Sequence, residues 1–136
     1  MEDTRADEPN SDEGGEVSEE GPDPELLEAF VKESRQRCDV ISAGLDTGTT
    51  DFEALRQEAH ALHGTAVTLG LGRIGELAGL MESDLAEAAE GSELKPQRAT
   101  QLSEAAEALA EGVKAAAAGE EEPPDVGRSL SQLFAI

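Results

Sequence analysis

The two histidines of the chain, His60 and His63, are the residues whose type and spacing point most directly to chemistry. A neutral imidazole has one nitrogen with a free lone pair, which acts as a nucleophile or as a metal ligand. Because residues three positions apart share a helix face, both rings lie on the same side of any helix that contains them. Metal binding is the weaker hypothesis, since no other histidine exists and the single cysteine, Cys38, is distant in sequence.

Nucleophilic attack through one ring nitrogen requires that the other nitrogen carries the proton. A carboxylate that accepts this second N–H fixes the tautomer and makes the imidazole more basic. Our candidate is Glu82, which lies on a separate predicted helix together with Gly75, Gly79 and Ala86. Small residues on that face permit close approach of the helix that carries His60, so we expect Glu82 to orient the His60 ring.

The helix that must position His60 has the clearest pattern in the chain. Its apolar residues alternate steps of three and four, as in the buried seam of an antiparallel bundle, at Phe52, Leu55, Ala59, Leu62, Ala66 and Leu69. His60 follows Ala59 by about 100° around the helix axis, so we expect it to be accessible at the edge of the buried stripe. Thr50 and Glu53 have the spacing of a capping box that begins this helix.

The face around His60 also carries Arg56, His63, Gly64 and Val67. A glycine in the middle of a helix costs roughly 1 kcal/mol relative to alanine, and this sequence uses alanine freely elsewhere. Gly64 therefore indicates either the approach of another surface or a phosphoryl group beside the His60 ring, or close packing between helices.

Three further long helices and a short one complete the predicted fold. They run from Asp23-Pro24 to near Gly44, from about Ile74 to near Gly91, from Lys95-Pro96 to Gly119, and, after a linker of Glu120 to Pro124, from Val126 to Phe134. No segment alternates with a period of two, so no strand is predicted. Short connections make sequential helices antiparallel neighbours, and the predicted fold class is all-α, an up-down antiparallel four-helix bundle with a short fifth C-terminal helix.

The composition restricts the number of domains, the classes of partner and the cellular location that the chain can have. Residues 1–22 are acidic and nearly free of apolar side chains, which predicts a disordered tail before a single domain over residues 23–136. The net charge of -21 argues against binding to nucleic acid or to anionic membranes. With no apolar stretch of about 18 residues, no signal-like N-terminus and no cysteine pair, we expect a cytoplasmic protein.

The run Ala59-His60-Ala61-Leu62-His63-Gly64-Thr65-Ala66, followed by Leu69-Gly70-Leu71 and Leu80-Met81-Glu82, resembles the signature of histidine phosphotransfer domains. It is most similar to the amino-terminal domain of the chemotaxis kinase CheA, and the likeness extends from about Glu25 to Phe134. The resemblance implies that His60 is the phosphoacceptor, that Gly64 is the small residue beside it, and that Glu82 is the partner of the imidazole.

Two positions depart from the family pattern. His63 stands where a lysine is usual, and Gly79 stands where a histidine is common. We therefore expect a thinner polar network around the acceptor, with a weaker, pH-dependent positive charge at His63. Arg56, His63 and Arg73 are candidate cations for a phosphoryl group or for a partner's carboxylates, although Arg73 equally fits a solvated surface group.

The resemblance also implies the partners, which are the catalytic domain of a histidine kinase and the receiver domain of a response regulator. It implies a monomer as well, because such domains are often monomeric. The chain has no Gly-x-x-x-x-Gly-Lys loop, so we expect no cofactor in this domain, with ATP and Mg²⁺ bound by the partner domains. It is then a phosphocarrier, either free-standing or part of a longer histidine kinase. The alternative is a helical module that docks a response regulator or a kinase without transferring phosphate.

Overall fold

The computed structural model describes residues 23–91 and 93–134 of the 136-residue chain. Within these ranges all regular structure is helical, as the sequence predicts, and it comprises α1 (Pro24–Asp46), α2 (Phe52–Thr68), α3 (Gly72–Gly91), α4 (Pro96–Ala117) and α5 (Pro124–Phe134). The predicted tail over residues 1–22 lies outside the described residues. None of the described helices is long and apolar enough to cross a membrane.

The helix starts follow from local hydrogen-bonding chemistry. At α1 the Asp23 side chain accepts a hydrogen bond from the Glu25 amide at 2.8 Å, with Pro24 in the first helical position, as predicted. The predicted capping box at α2 is wrong: the capping residue is Asp51, which accepts from the Ala54 amide at 3.2 Å. Asp51 lies one residue closer to the apolar pattern than Thr50 and satisfies the exposed amide itself.

The first four helices form a ring in which each packs against its sequence neighbours and α4 closes onto α1. Their connections are short, so successive helices run antiparallel, which confirms the predicted up-down bundle. Helix α5 lies against α3 and α4. It runs antiparallel to α4, because Val126 at its start faces Gly112 and the Gln132 carbonyl near its end accepts from Arg98.

Aliphatic side chains and alanines fill the core between the helices. The predicted seam of α2 is buried at every position from Phe52 to Leu69. Phe30 and Phe52 are buried as well, whereas Phe134 at the end of α5 is 73% exposed. With few aromatic residues, the helices approach each other closely across alanine and glycine, which suits a bundle of this size.

The contact between α2 and α3 is the one that positions the site. Gly75 of α3 is buried under α2, where an added Cβ would lie 3.3 Å from Cγ2 of Val67 and 3.7 Å from Cβ of Ala66. A larger residue there would push the two helices apart. The bare glycine therefore sets the separation at which α3 presents Glu82 to α2.

Candidate functional site

His60 lies in the middle of α2, at the edge of its buried stripe. Its neighbours Ala59 and Leu62 are fully buried, whereas the His60 side chain is 68% exposed. The sequence-based prediction of an accessible imidazole at this position is therefore confirmed. A ring in this setting can meet a group presented by another molecule without any movement of the backbone.

The His60 ring is held from one side by Glu82 of α3. Nδ1 lies 2.8 Å from Glu82 Oε2, a distance typical of a charge-assisted hydrogen bond. When the imidazole is neutral, this contact requires the proton on Nδ1, because the carboxylate can only accept. Nε2 then keeps its lone pair, which makes it the nucleophilic atom.

Glu82 is a partly buried carboxylate whose side chain is 21% exposed. Burial favours its neutral form, but hydrogen bonds from His60 and His63, together with the charges of these rings, outweigh that effect. They hold the pKa of the Glu82 carboxyl below its usual value. The carboxylate is therefore ionised at neutral pH and available to accept the Nδ1 proton of His60.

His63 contributes a second imidazole to the same carboxylate. Its Nδ1 lies 3.4 Å from Glu82 Oε1, so that the two rings occupy different oxygens. The ring lies over Gly79, where an added Cβ would be 3.5 Å from Cε1. The space above Gly79 is thus filled by a side chain from α2. The thinner polar network expected around the acceptor stays a prediction.

Arg56 brings a permanent positive charge to the carboxylate that holds the His60 ring. Its Nη1 lies 3.3 Å from Glu82 Oε2, the oxygen that also contacts His60. Its Nε and Nη2 donate to the two oxygens of Glu53 at 2.9 and 2.8 Å. Glu53 thus holds Arg56 beside the site. The capping-box spacing with Thr50 predicts a helix cap for Glu53, although its position three residues before Arg56 is also the spacing of a helical ion pair.

Gly64 faces open space, one turn along α2 from His60. A Cβ added at this position would meet no atom within 4 Å, which excludes close helix packing as the reason for the glycine. Val67, a further turn along, is 60% exposed. The two residues leave a bare, shallow strip beside His60.

Arg73 lies apart from this cluster. It is at the start of α3, nine residues before Glu82 and therefore about 13 Å away along the helix axis. Its Nε donates to Glu122 in the linker between α4 and α5 at 2.8 Å, and its guanidinium packs over Gly127. The structure thus joins Arg56, His60, His63 and Glu82 at the middle of α2 and α3, and it places Arg73 near one end of the bundle.

The described residues contain no group of three or more His, Cys, Asp and Glu side chains arranged to hold a metal ion. Cys38 is buried, and burial raises the pKa of its thiol to about 12. It is therefore protonated and unreactive at neutral pH.

A family model of the Hpt domain matches residues 25–112, which is more than half of the chain and includes the whole of α2 and α3. The chain belongs to the Hpt domain family. Its general activity is thus histidine phosphotransfer in two-component signalling, and such domains interact with kinases and response regulators. No curated protein sequence matches the chain significantly. Helix α5 lies beyond the matched residues of this Hpt domain.

Proposed function

We propose that His60 accepts a phosphoryl group from a histidine kinase and passes it to an aspartate on the receiver domain of a response regulator. The observation that carries this proposal is the exposed His60 ring with its Nδ1 at 2.8 Å from Glu82. A histidine kept only for packing needs neither a free Nε2 nor an orienting carboxylate.

In the first step, Nε2 of His60 attacks the γ-phosphorus of ATP bound by the kinase. A bond forms between Nε2 and phosphorus, the bond to the bridging oxygen breaks, and ADP leaves. The ring develops positive charge, which Glu82 stabilises through its hydrogen bond to Nδ1. In the second step a receiver aspartate attacks the phosphorus and the bond to Nε2 breaks, which returns neutral His60. The partner domains supply Mg²⁺ in both steps.

The residues around His60 have distinct parts in this proposal. Arg56 offers a positive charge to the incoming phosphoryl group in a domain that is otherwise strongly negative. Gly64 and Val67 form the bare strip on which a partner approaches the ring. Arg73 lies too far along α3 to reach the phosphoryl group and pairs with Glu122. Its role as a contact for a partner's carboxylates stays a prediction.

The likeness to the amino-terminal domain of the chemotaxis kinase CheA supports a more specific proposal, in which the donor is a kinase of the chemotaxis type. The predicted cytoplasmic location and monomeric state fit this role. ATP is handled by the kinase catalytic domain, so the present domain acts as its substrate and as a phosphocarrier.

Incubation with a panel of histidine kinase catalytic cores and labelled ATP tests the proposal. We expect a label that is stable in base and labile in acid, as a phosphorus–nitrogen bond to histidine is, and that moves to a receiver domain on its addition. His60→Gln should abolish the label. Absence of label with several competent donors favours the non-transferring docking module, and a label that survives in His60→Gln contradicts the assignment of the acceptor.

A further inference from the structure

The Glu82 carboxylate has its two oxygens in different environments. Oε2 is shared between Nδ1 of His60 at 2.8 Å and Nη1 of Arg56 at 3.3 Å, whereas Oε1 contacts Nδ1 of His63 at 3.4 Å. The terminal torsion of a glutamate is soft and adopts a broad range of angles. A contact on Oε1 is therefore what fixes the plane of the carboxylate while two groups compete for Oε2.

Arg56 is a strong competitor for Oε2, because it carries a permanent charge and is itself anchored by two hydrogen bonds to Glu53. Without a partner on Oε1, the carboxylate is free to rotate toward the guanidinium and away from His60. His63 opposes that rotation from the opposite oxygen. Its ring is less exposed than that of His60, at 41% against 68%, since it rests on α3 instead of projecting from the bundle.

Gly79 is the residue that permits this arrangement. A Cβ at position 79 would lie 3.5, 3.6 and 3.8 Å from Cε1, Nε2 and Nδ1 of His63, all ordinary contact distances. Alanine would thus just fit under the ring, while a longer side chain would have to occupy the space of the ring.

From these contacts we propose that His63 is a positioning residue for phosphotransfer, which holds Glu82 in the orientation that His60 needs, and that Gly79 is the floor on which the His63 ring rests. The inference rests on the proposed function of His60. It assigns His63 no bond to the phosphoryl group. The role is carried by the N–H that His63 Nδ1 directs at Oε1.

The test uses phosphoramidate, a small donor that needs no kinase: Nε2 attacks its phosphorus, the phosphorus–nitrogen bond of the donor breaks and ammonia leaves. His63→Leu removes the donor to Glu82 but keeps the bulk, and we expect labelling of His60 to slow roughly fivefold or more. His63→Asn should restore most of the rate, because its amide nitrogen is two bonds from Cβ, as Nδ1 is. Gln97→Leu, on the exposed start of α4, is the matched control and should label at the wild-type rate.

Substitution of Gly79, which lies under the His63 ring, gives a second, independent measurement. Gly79→Ala should keep labelling within about twofold of wild type, since its Cβ makes only ordinary contacts, and should raise the melting temperature. Gly79→Leu should slow labelling as much as His63→Leu although His63 is chemically intact. The double variant with both His63→Leu and Gly79→Leu should label no more slowly than either single variant, because both changes remove the contact between His63 and Glu82.

Three results would overturn the inference. The first is a wild-type rate of labelling in folded His63→Leu. The second is an equal fall in the labelling rate in His63→Leu and His63→Asn. The third is a label that persists in His60→Gln and disappears only when His63 is also replaced, which would make His63 an acceptor. If the unmodified protein takes no label from phosphoramidate or from any kinase, the proposed function itself fails, an outcome distinct from these three.

Discussion

At the scale of single residues, the site is built around one carboxylate that several side chains of α2 share. Glu82 accepts from His60 and Arg56 on one oxygen and from His63 on the other. The identity of His60 as an exposed imidazole and of Glu82 as its partner followed from helical spacing and from the need to fix a tautomer. The contact of His63 with Glu82 did not, because it depends on the direction of a side chain across a helix interface, which spacing alone does not define.

Replacement of Glu82 by Gln tests the charge of this carboxylate. The amide oxygen can still accept the Nδ1 proton, but it no longer stabilises the positive charge that develops on the ring. We expect the rate of phosphoryl transfer to His60 to fall roughly tenfold to a hundredfold, measured as the initial rate of labelling. Glu76→Gln, on the exposed face of α3, is the control and should retain the wild-type rate. Equal rates in both variants would contradict the role of Glu82.

The lowered pKa of Glu82 also predicts how this residue affects stability in acid. Since its folded-state pKa lies below the usual value near 4.5, the ionised carboxylate stabilises the folded state above that value. This contribution is lost as the pH falls through the folded-state pKa. The difference in free energy of unfolding between wild type and Glu82→Gln should therefore shrink from about pH 6 to about pH 3, as measured by urea titration. A difference that grows in acid would show that the ionised form is not favoured in the folded protein.

At the scale of helices, the apolar patterns predicted all five elements and their antiparallel order. Those patterns depend only on which face of each helix is buried, a property that the sequence carries locally. The error at the start of α2 has a local cause too, since Thr50 and Asp51 are both good capping residues and only the backbone path selects Asp51. Arg98 attaches α5 to the bundle, because it contacts Asp84 on α3 and the Gln132 carbonyl on α5. These contacts join segments that are distant in sequence, so no local pattern predicted them.

Gly112 of α4 lies where this helix packs closely against both α3 and α5. An added Cβ would lie 2.5 Å from Cδ1 of Ile74 and 3.1 Å from Cγ2 of Val126. Gly112→Val should therefore force α5 away and lower the free energy of unfolding by about 1–3 kcal/mol. Gly64→Val, at a glycine that faces open space, is the matched control and should not destabilise the fold. Equal stability of the two variants in urea titration would show that α5 is not packed as described.

At the scale of the whole molecule, the excess of acidic residues dominates the electrostatics of the protein. The chain has 31 acidic and 10 basic residues, and every arginine among the described residues already pairs with a carboxylate, namely Arg35, Arg37, Arg56, Arg73, Arg98 and Arg128. The remaining acids repel one another, and this repulsion favours expanded states of the chain. The sequence predicted the charge but not which acids find partners, because ion pairs such as Arg35 with Glu107 join helices far apart in sequence.

This repulsion predicts a strong dependence of stability on salt. Between roughly 0.01 M and 1 M KCl the screening length falls from about 30 Å to about 3 Å, so the melting temperature should rise steeply and then level off as repulsion is screened. Sucrose of equal osmolality is the control and should not reproduce the steep rise at low concentration. A melting temperature that is constant or falls over the same range of KCl would contradict this account of the charge.

Transfer as proposed requires the phosphoryl group on Nε2 of His60, and this is tested most directly by locating that group on the intact phosphorylated protein. Mass spectrometry with electron-transfer fragmentation, performed without acid, preserves phosphorus–nitrogen bonds and assigns the added mass to a residue. We expect a single phosphoryl group on His60 after reaction with a competent kinase and ATP, and none on His60→Gln under the same conditions. A phosphoryl group on any other residue, or an unmodified His60 in a preparation that transfers phosphate to a receiver, would contradict it.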